Sequence, residues 1–348
     1  MSAGGFYRHL GTALIGLGVG ALFLWLALRD VAMSDVGVLI DNLDGDLLLQ
    51  AAAFYWLGLG LRVWRWQLLL RELAPAPLAA VGETLVVGYA INNLLPARLG
   101  EVARAAYAKR RLRIGRARVF GSIVVERLLD LGAILGCLLV GLILLRMGSE
   151  TARLPTFELV ALNAGAVIGV VVLGMAWLRS GGIARIPVPD ALRDIFDDFV
   201  RGIATLNRRS VSVALLLSGG VWLCEVAALS WVFAALDILL SPGQALLVMG
   251  AASLSTLVPT APGYLGTYQL VAVLAMEAFG HSASAGIVAS GAIQVVLFGS
   301  VTAAGLAILS GRGLRRLYLT GRTLWGDRDV SARAQSSSEN GVKSVSRS

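Results

Sequence analysis

The chain has 348 residues, of which 57% are hydrophobic and only 15% charged, with a mean hydropathy of +0.75 and a formal net charge of +8. A soluble domain carries roughly 25% charged residues, so this composition excludes one and defines an integral membrane protein. Two histidines, His9 and His281, are too few for a histidine-based metal centre, and Cys137 and Cys224 both lie in apolar stretches, so they say nothing about disulfides or redox compartment.

In chain order, the first apolar stretch is 11–28, with Arg8 before it and Arg29-Asp30 after it. It is longer than the apolar core of a secretory signal and no small-residue cleavage site follows, which predicts a retained first span. A second stretch at 47–61 precedes Arg62 and Arg65, and Trp56, Trp64 and Trp66 read as an interfacial aromatic belt. From Arg62 to Arg118 there are eleven Lys/Arg, against Arg29 alone over 29–46, so the basic segment is cytoplasmic. Further apolar stretches fall at 119–145, 157–178, 211–236 and 284–310, most of them long enough for a hydrocarbon core of about 30 Å. Six more cations in 179–209 and eight in 312–347 place those segments inside as well, with both termini cytoplasmic in a cell inner (plasma) membrane. The +8 charge thus reports topology, and no nucleic acid is expected as a partner.

Two apolar stretches, 77–107 and 242–280, are interrupted by the same device. The first carries Asn93-Leu94-Leu95-Pro96-Ala97-Arg98-Leu99-Gly100-Glu101, the second Thr256-Leu257-Val258-Pro259-Thr260-Ala261-Pro262-Gly263-Tyr264. Superposing Pro96 on Pro259 (259 − 96 = 163) also superposes Leu94 on Leu257 and Gly100 on Gly263. Matched Pro/Gly breaks in two halves point to a transporter's binding site. The expected fold is all-α and polytopic, with six transmembrane helices plus two re-entrant broken hairpins in inverted repeat; eight spans is the alternative. One membrane domain covers 1–325, its halves at about 10–146 and 157–311, followed by a Ser-rich disordered tail at 326–348. The loop 189–207 carries apolar residues at helical spacing opposite charged ones, an amphipathic helix at the interface or against the bundle.

The candidate site gathers at the breaks. Asn92, Asn93, Pro96, Arg98, Gly100, Glu101 and Arg104 bring polar groups to membrane depth, where they must meet protein or water. Pro96 and Gly100 let the chain turn and restart a helix whose N–H groups favour an anion, while Arg98 and Arg104 suit phosphate. Glu126 and Asp130 share a helix face and repel unless a cation or proton stands between them; Arg127, Arg98 or Arg104 can supply it. A buried ion-pair network that only holds the fold is the competing reading. At the second break Pro259, Pro262, Gly263, Gly266 and Thr267 open another helix start, and Glu225 stands alone in its span.

The pattern Asn93-x-x-Pro96-x-x-x-Gly100-Glu101-x-x-Arg104, then Glu126-Arg127-x-x-Asp130, then Pro259-x-x-Pro262-Gly263-x-x-Gly266 resembles the lysylphosphatidylglycerol synthase transmembrane region, the flippase-like family, over roughly residues 10–310. The resemblance implies a polytopic protein that moves a phosphate-bearing lipid or lipid-linked glycan precursor between leaflets. Tyr264 stands where the family usually has a second glycine, and Gln269 where an acid is common, which weakens a proton role at that position. The soluble synthase domain does not follow, so lipid aminoacylation by this chain alone is not expected. Its partners are then membrane lipids, anionic or polyprenyl-phosphate-linked, with a lipid-modifying enzyme or glycosyltransferase as a possible protein partner. The alternatives are a noncatalytic membrane subunit and a lipid-modifying membrane enzyme; no nucleophile, metal or nucleotide-binding signature supports the latter, and no cofactor is expected.

Overall fold

The computed structural model describes residues 17–29, 31–95, 99–147, 193, 196–197, 208–256 and 261–312. The expected span at 157–178, the amphipathic helix in 189–207 as a whole, the tail at 326–348, and Pro96, Arg98 and Pro259 lie outside them. Every regular element among the described residues is helical. In order they are α1 (Leu17–Leu28), α2 (Met33–Asp41), α3 (Gly45–Arg71), α4 (Leu78–Leu94), α5 (Leu99–Leu112), α6 (Arg116–Met147), α7 (Arg208–Ala234), α8 (Pro242–Ser255), a single 3₁₀ turn (Pro262–Tyr264), α9 (Thr267–Ala278) and α10 (Ala283–Arg312). Within α10 the stretch Ile293–Phe298 is wound as a π-helix.

Local chemistry sets the starts. The Asp44 side chain accepts from the N–H groups of Asp46 and Leu47 and begins α3. Ser241 and Gln244 form a reciprocal capping box at α8, with Pro242 at its first turn, where the missing N–H costs nothing. Ser282 caps α10.

Four helices, α3, α6, α7 and α10, are long and apolar enough to cross a membrane, and α1 with α2 makes a fifth if the bent pair is one span. The protein is therefore an all-helical, multi-pass membrane protein. One expectation needs correction: the second span does not stop at 61. Helix α3 runs on through Arg62 and Arg65 to Arg71, because both arginines are buried and ion-paired instead of lying in a loop.

The repeat is visible in the element bounds. Helix α3 covers 45–71 and α7 covers 208–234, a displacement of 163 at both ends (208 − 45 and 234 − 71). Helices α4, α5 and α6 then recur in the same order as α8, α9 and α10. The α3–α7 pair forms the central contact and is antiparallel: the Asp44 N–H donates to the Ala235 carbonyl at one end, and Ser210 donates to Glu72 at the other. A Cβ on Gly58 would lie 3.1 Å from the Cys224 Cβ, so the helices approach closely through small residues. Each hairpin's first arm packs on the long helix of the other half. Gly141 of α6 and Gly243 of α8 touch, a Cβ on either meeting the other's carbonyl at about 3 Å, and a Cβ on Gly305 of α10 would sit 2.4 Å from Ala90 of α4.

The first break is closed by a near approach of backbones. A Cβ on Gly100 would fall 2.2 Å from the Gly88 carbonyl, and the Asn92 side chain accepts from the Gly100 N–H at 2.7 Å. The second break uses left-handed backbone instead: φ is +67° at Gly263, +60° at Tyr264 and +92° at Gly266.

Candidate functional site

Helices α3, α5, α6 and α7 bring a cluster of charges together away from water. Glu126 and Asp130 of α6 are 0% and 4% exposed, and four apart on one face they would repel if left alone. Arg65 of α3, fully buried, reaches both, 2.8 Å from Asp130 Oδ1 and 3.7 Å from Glu126 Oε1, and also donates to Ser218 Oγ on α7. Arg104 of α5 donates to Glu126 Oε2, while Arg127 Nη2 lies 2.7 Å from Glu126 Oε1 and 3.2 Å from Asp130 Oδ2. Arg62 spans Asp130 at 3.5 Å and Glu225 at 2.9 Å. Four guanidinium groups thus meet three carboxylates, one positive charge in excess (4 − 3). Taking so many ions out of water is tolerable only while all stay paired.

The Arg62–Glu225 pair has a particular meaning in the repeat. The two positions are 163 apart, the repeat displacement itself (225 − 62), so equivalent positions of α3 and α7 face each other. The antiparallel pair crosses its own symmetry axis there.

Trp66 is where the aromatic-belt expectation fails. Its ring is 0% exposed, lies 3.6 Å from the Arg104 guanidinium carbon and donates its N–H to Ser122, whereas Trp56 and Trp64 are exposed as a belt requires. A planar cation above an indole face, with both buried, regains from the ring quadrupole part of what it has lost in hydration.

Beside the cluster lies a cavity of about 350 Å³. Arg62, Glu101, Arg127, Asp130 and Glu225 supply its charges; Asn92, Asn93, Ser253 and Thr256 its neutral polar groups; Tyr55, Tyr89, Trp222, Tyr264, Tyr268 and Phe298 its aromatic wall. Apolar walls with a few convergent polar groups are the general form of a small-molecule site. The cavity straddles the repeat: positions 59 and 222, 62 and 225, 93 and 256, 101 and 264, 130 and 293, 134 and 297 are matched pairs, and both members of each line it.

Of the residues singled out in the sequence, Asn92, Asn93, Glu101, Arg127, Asp130 and Glu225 reach the cavity, and Arg104 and Glu126 stand behind it in the ion cluster. Asn93 also donates to Thr302 and the Phe298 carbonyl, tying the first break to α10. Pro262, Gly263, Gly266 and Thr267 are not on the cavity wall, and their polar groups are turned into the second break: Gly266 N–H donates to Gln269 Oε1, Gln269 to Gln294, Gln294 to the Gly263 carbonyl, and Thr267 to the Tyr264 carbonyl. The two breaks still meet, since a Cβ on Gly263 would lie 3.6 Å from the Asn93 carbonyl. Sequence reading missed Arg62, Arg65, Trp66 and Trp222 as members of the site. The repeat displacement held the signal for one of them, because it sets Arg62 opposite Glu225.

An all-helical membrane protein built from two repeats, with a buried ion cluster and a cavity between its helix breaks, defines the class. The chain belongs to the family of the lysylphosphatidylglycerol synthase transmembrane region, whose model matches residues 13–305. It is also similar to the glycosyltransferase AglD of Haloferax volcanii, 23% identical over 331 residues, 84% of this chain and 53% of that protein. The chain spans about half the length of this relative.

Proposed function

We propose that the protein is a flippase-like transporter that moves a phosphate-bearing lipid, either a phospholipid or a lipid-linked glycan precursor, between leaflets, and that it is not itself an enzyme. The observation that carries this reading is the cavity, lined by matched positions of both repeats, with the guanidinium groups of Arg62 and Arg127 on its wall. Ionisable groups at membrane depth mark substrate pathways, and guanidinium matches phosphate in charge and geometry. The antiparallel α3–α7 pair favours an arrangement of six spans and two re-entrant hairpins, the second half inverted, with alternating access by movement of one repeat against the other. Cytoplasmic termini in the inner membrane follow from the distribution of Lys/Arg; without the buried Arg62, Arg65 and Arg104, eight of the eleven cations between positions 62 and 118 remain (11 − 3).

A second reading, a noncatalytic membrane subunit serving a glycosyltransferase or other lipid-modifying enzyme, draws on the similarity to the glycosyltransferase AglD. Reconstitution separates the two. Purified protein in liposomes should expose an inner-leaflet fluorescent prenyl phosphate to an external quencher faster than empty liposomes do, and equal rates with and without protein defeat the transporter.

A further inference from the structure

The cavity wall carries three carboxylates, Glu101, Asp130 and Glu225, against the two guanidinium groups of Arg62 and Arg127. A lipid phosphate that enters brings more negative charge into a space screened from bulk water, so its entry calls for one carboxylate to be neutralised. The ion pairs single out which one. Asp130 is engaged by Arg62, Arg65 and Arg127, Glu225 by Arg62, and Glu126 behind them by Arg65, Arg104 and Arg127. A proton on any of these three takes a counter-charge away from a buried arginine. Glu101 differs: it is half-buried, reaches the cavity, and forms no hydrogen bond or ion pair among the described residues. It can gain and lose a proton without breaking a contact between helices.

Its surroundings fit that role. From α6 the charge that Glu101 feels is Arg127; from α4 come Tyr89, on the same wall, and Glu83, which Arg111 and Arg312 hold. The second break contributes Tyr264, and on α5 itself Arg104 is taken up by Glu126 and the Trp66 ring, while Arg98 lies outside the described residues. Counted with the four arginines and the three carboxylates they hold, Glu101 makes the empty site neutral (4 − 3 − 1). It sits in the first turn of α5, whose positive end supports its charge until another anion arrives.

We propose that Glu101 is the proton-binding residue of a lipid–proton cotransporter: a carboxylate oxygen takes a proton from water as the lipid phosphate enters, the two cross together, and the proton returns to water when the lipid leaves. This rests on the transporter reading above and adds its coupling ion. The coupling is reciprocal, since an anion in the cavity favours the proton on Glu101 by the same factor as that proton favours the anion. The matched position of the second half is Tyr264, so the pair of repeats carries one such site.

The test places the purified full-length protein in liposomes with the fluorescent prenyl phosphate, imposes a pH gradient with the membrane potential clamped by potassium and valinomycin, and reads the final distribution of probe between leaflets by external quenching. Wild-type protein should enrich the probe in the leaflet facing the alkaline side, by up to about tenfold for a gradient of about one pH unit, the full drive of one proton. Glu101→Gln stands in for the protonated acid. It should still equilibrate the probe, at a rate independent of pH, and show none of the enrichment; because the probe itself titrates near neutral pH, this variant also supplies its baseline. Glu277→Gln, at an exposed glutamate away from the cavity, should behave as wild type. If Glu101→Gln does not fold, Glu101→Ser, also neutral, takes its place. Wild-type protein that equilibrates the probe faster than empty liposomes but with no more enrichment than the variant overturns the proton site and leaves the transporter reading intact. A variant that moves no probe also overturns it, since a neutral side chain should still carry the lipid. Enrichment driven by a sodium gradient at equal pH assigns Glu101 to a metal cation and overturns the proton. Wild-type protein no faster than empty liposomes defeats the transporter reading itself, and the cotransporter with it.

Discussion

The two halves use one backbone plan and different chemistry. Among the matched pairs that line the cavity, Glu101 corresponds to Tyr264, Asp130 to Ile293 and Asn93 to Thr256, so at these positions the first half supplies charge and amide while the second supplies a ring, aliphatic surface and a hydroxyl. Only at Arg62 and Glu225 are both members of a matched pair charged, and there they neutralise each other. The breaks differ in the same manner. The first is held by a glycine pressed against backbone, the second by left-handed residues and a relay through Gln269 and Gln294. What a repeat retains is the path of the chain, because backbone hydrogen bonds must be satisfied in either half; side chains diverge once one half carries the ions.

The largest effect is expected where charge is concentrated in the first half. Glu126→Ala strands Arg104 and leaves Arg65 and Arg127 with Asp130 as their shared carboxylate, and loss of a buried partner of this kind costs about 3–5 kcal/mol, enough to abolish folded protein on size-exclusion chromatography. Normal yield of a monodisperse variant would show that the cluster is not structural.

The glycines at equivalent positions sharpen the contrast between the breaks. Gly100→Ala drives a methyl into the Gly88 carbonyl and should cost about 3 kcal/mol, at the upper end for overpacking. Gly263→Ala has room, its nearest neighbour at 3.6 Å, and suffers only from φ of +67°, a cost of about 1 kcal/mol. Equal melting temperatures for the two would mean that the breaks do not differ as described.

At the symmetry axis, Arg62→Glu or Glu225→Arg alone should cost about 2 kcal/mol or more, through loss of a charged hydrogen bond and gain of repulsion. The exchange of both restores the pair, although the carboxylate brought to position 62 would then face Asp130, so about half the loss should return in a double-mutant cycle. Purely additive costs would remove the pair from the account.

The smallest effect is expected at Tyr264. Replacement by glycine relieves φ of +60°, worth about 1 kcal/mol, and removes the edge contact to Phe298 at 6.2 Å, worth about the same. The melting temperature should stay within about 3 °C, while the enlarged cavity alters lipid selectivity in native mass spectrometry.

Composition and hydropathy by themselves determined the class of protein and the cores of α3, α6, α7 and α10, since a hydrocarbon solvent permits few alternatives to apolar helices. The repeat was equally legible, its displacement of 163 set by proline and glycine and recovered in the bounds of α3 and α7. Asn92, Asn93, Glu101, Arg127, Asp130 and Glu225 were recognisable because polar groups in an apolar run demand a reason. Arg62, Arg65 and Trp66 were not: a cation at the end of an apolar stretch has the same local signature whether it enters a loop or continues a helix, and an indole near it looks interfacial either way. Only the docking of α3 against α6 and α7 decided between these outcomes, because only there do Glu126, Asp130 and Glu225 provide the counter-charges that make burial of the arginines tolerable.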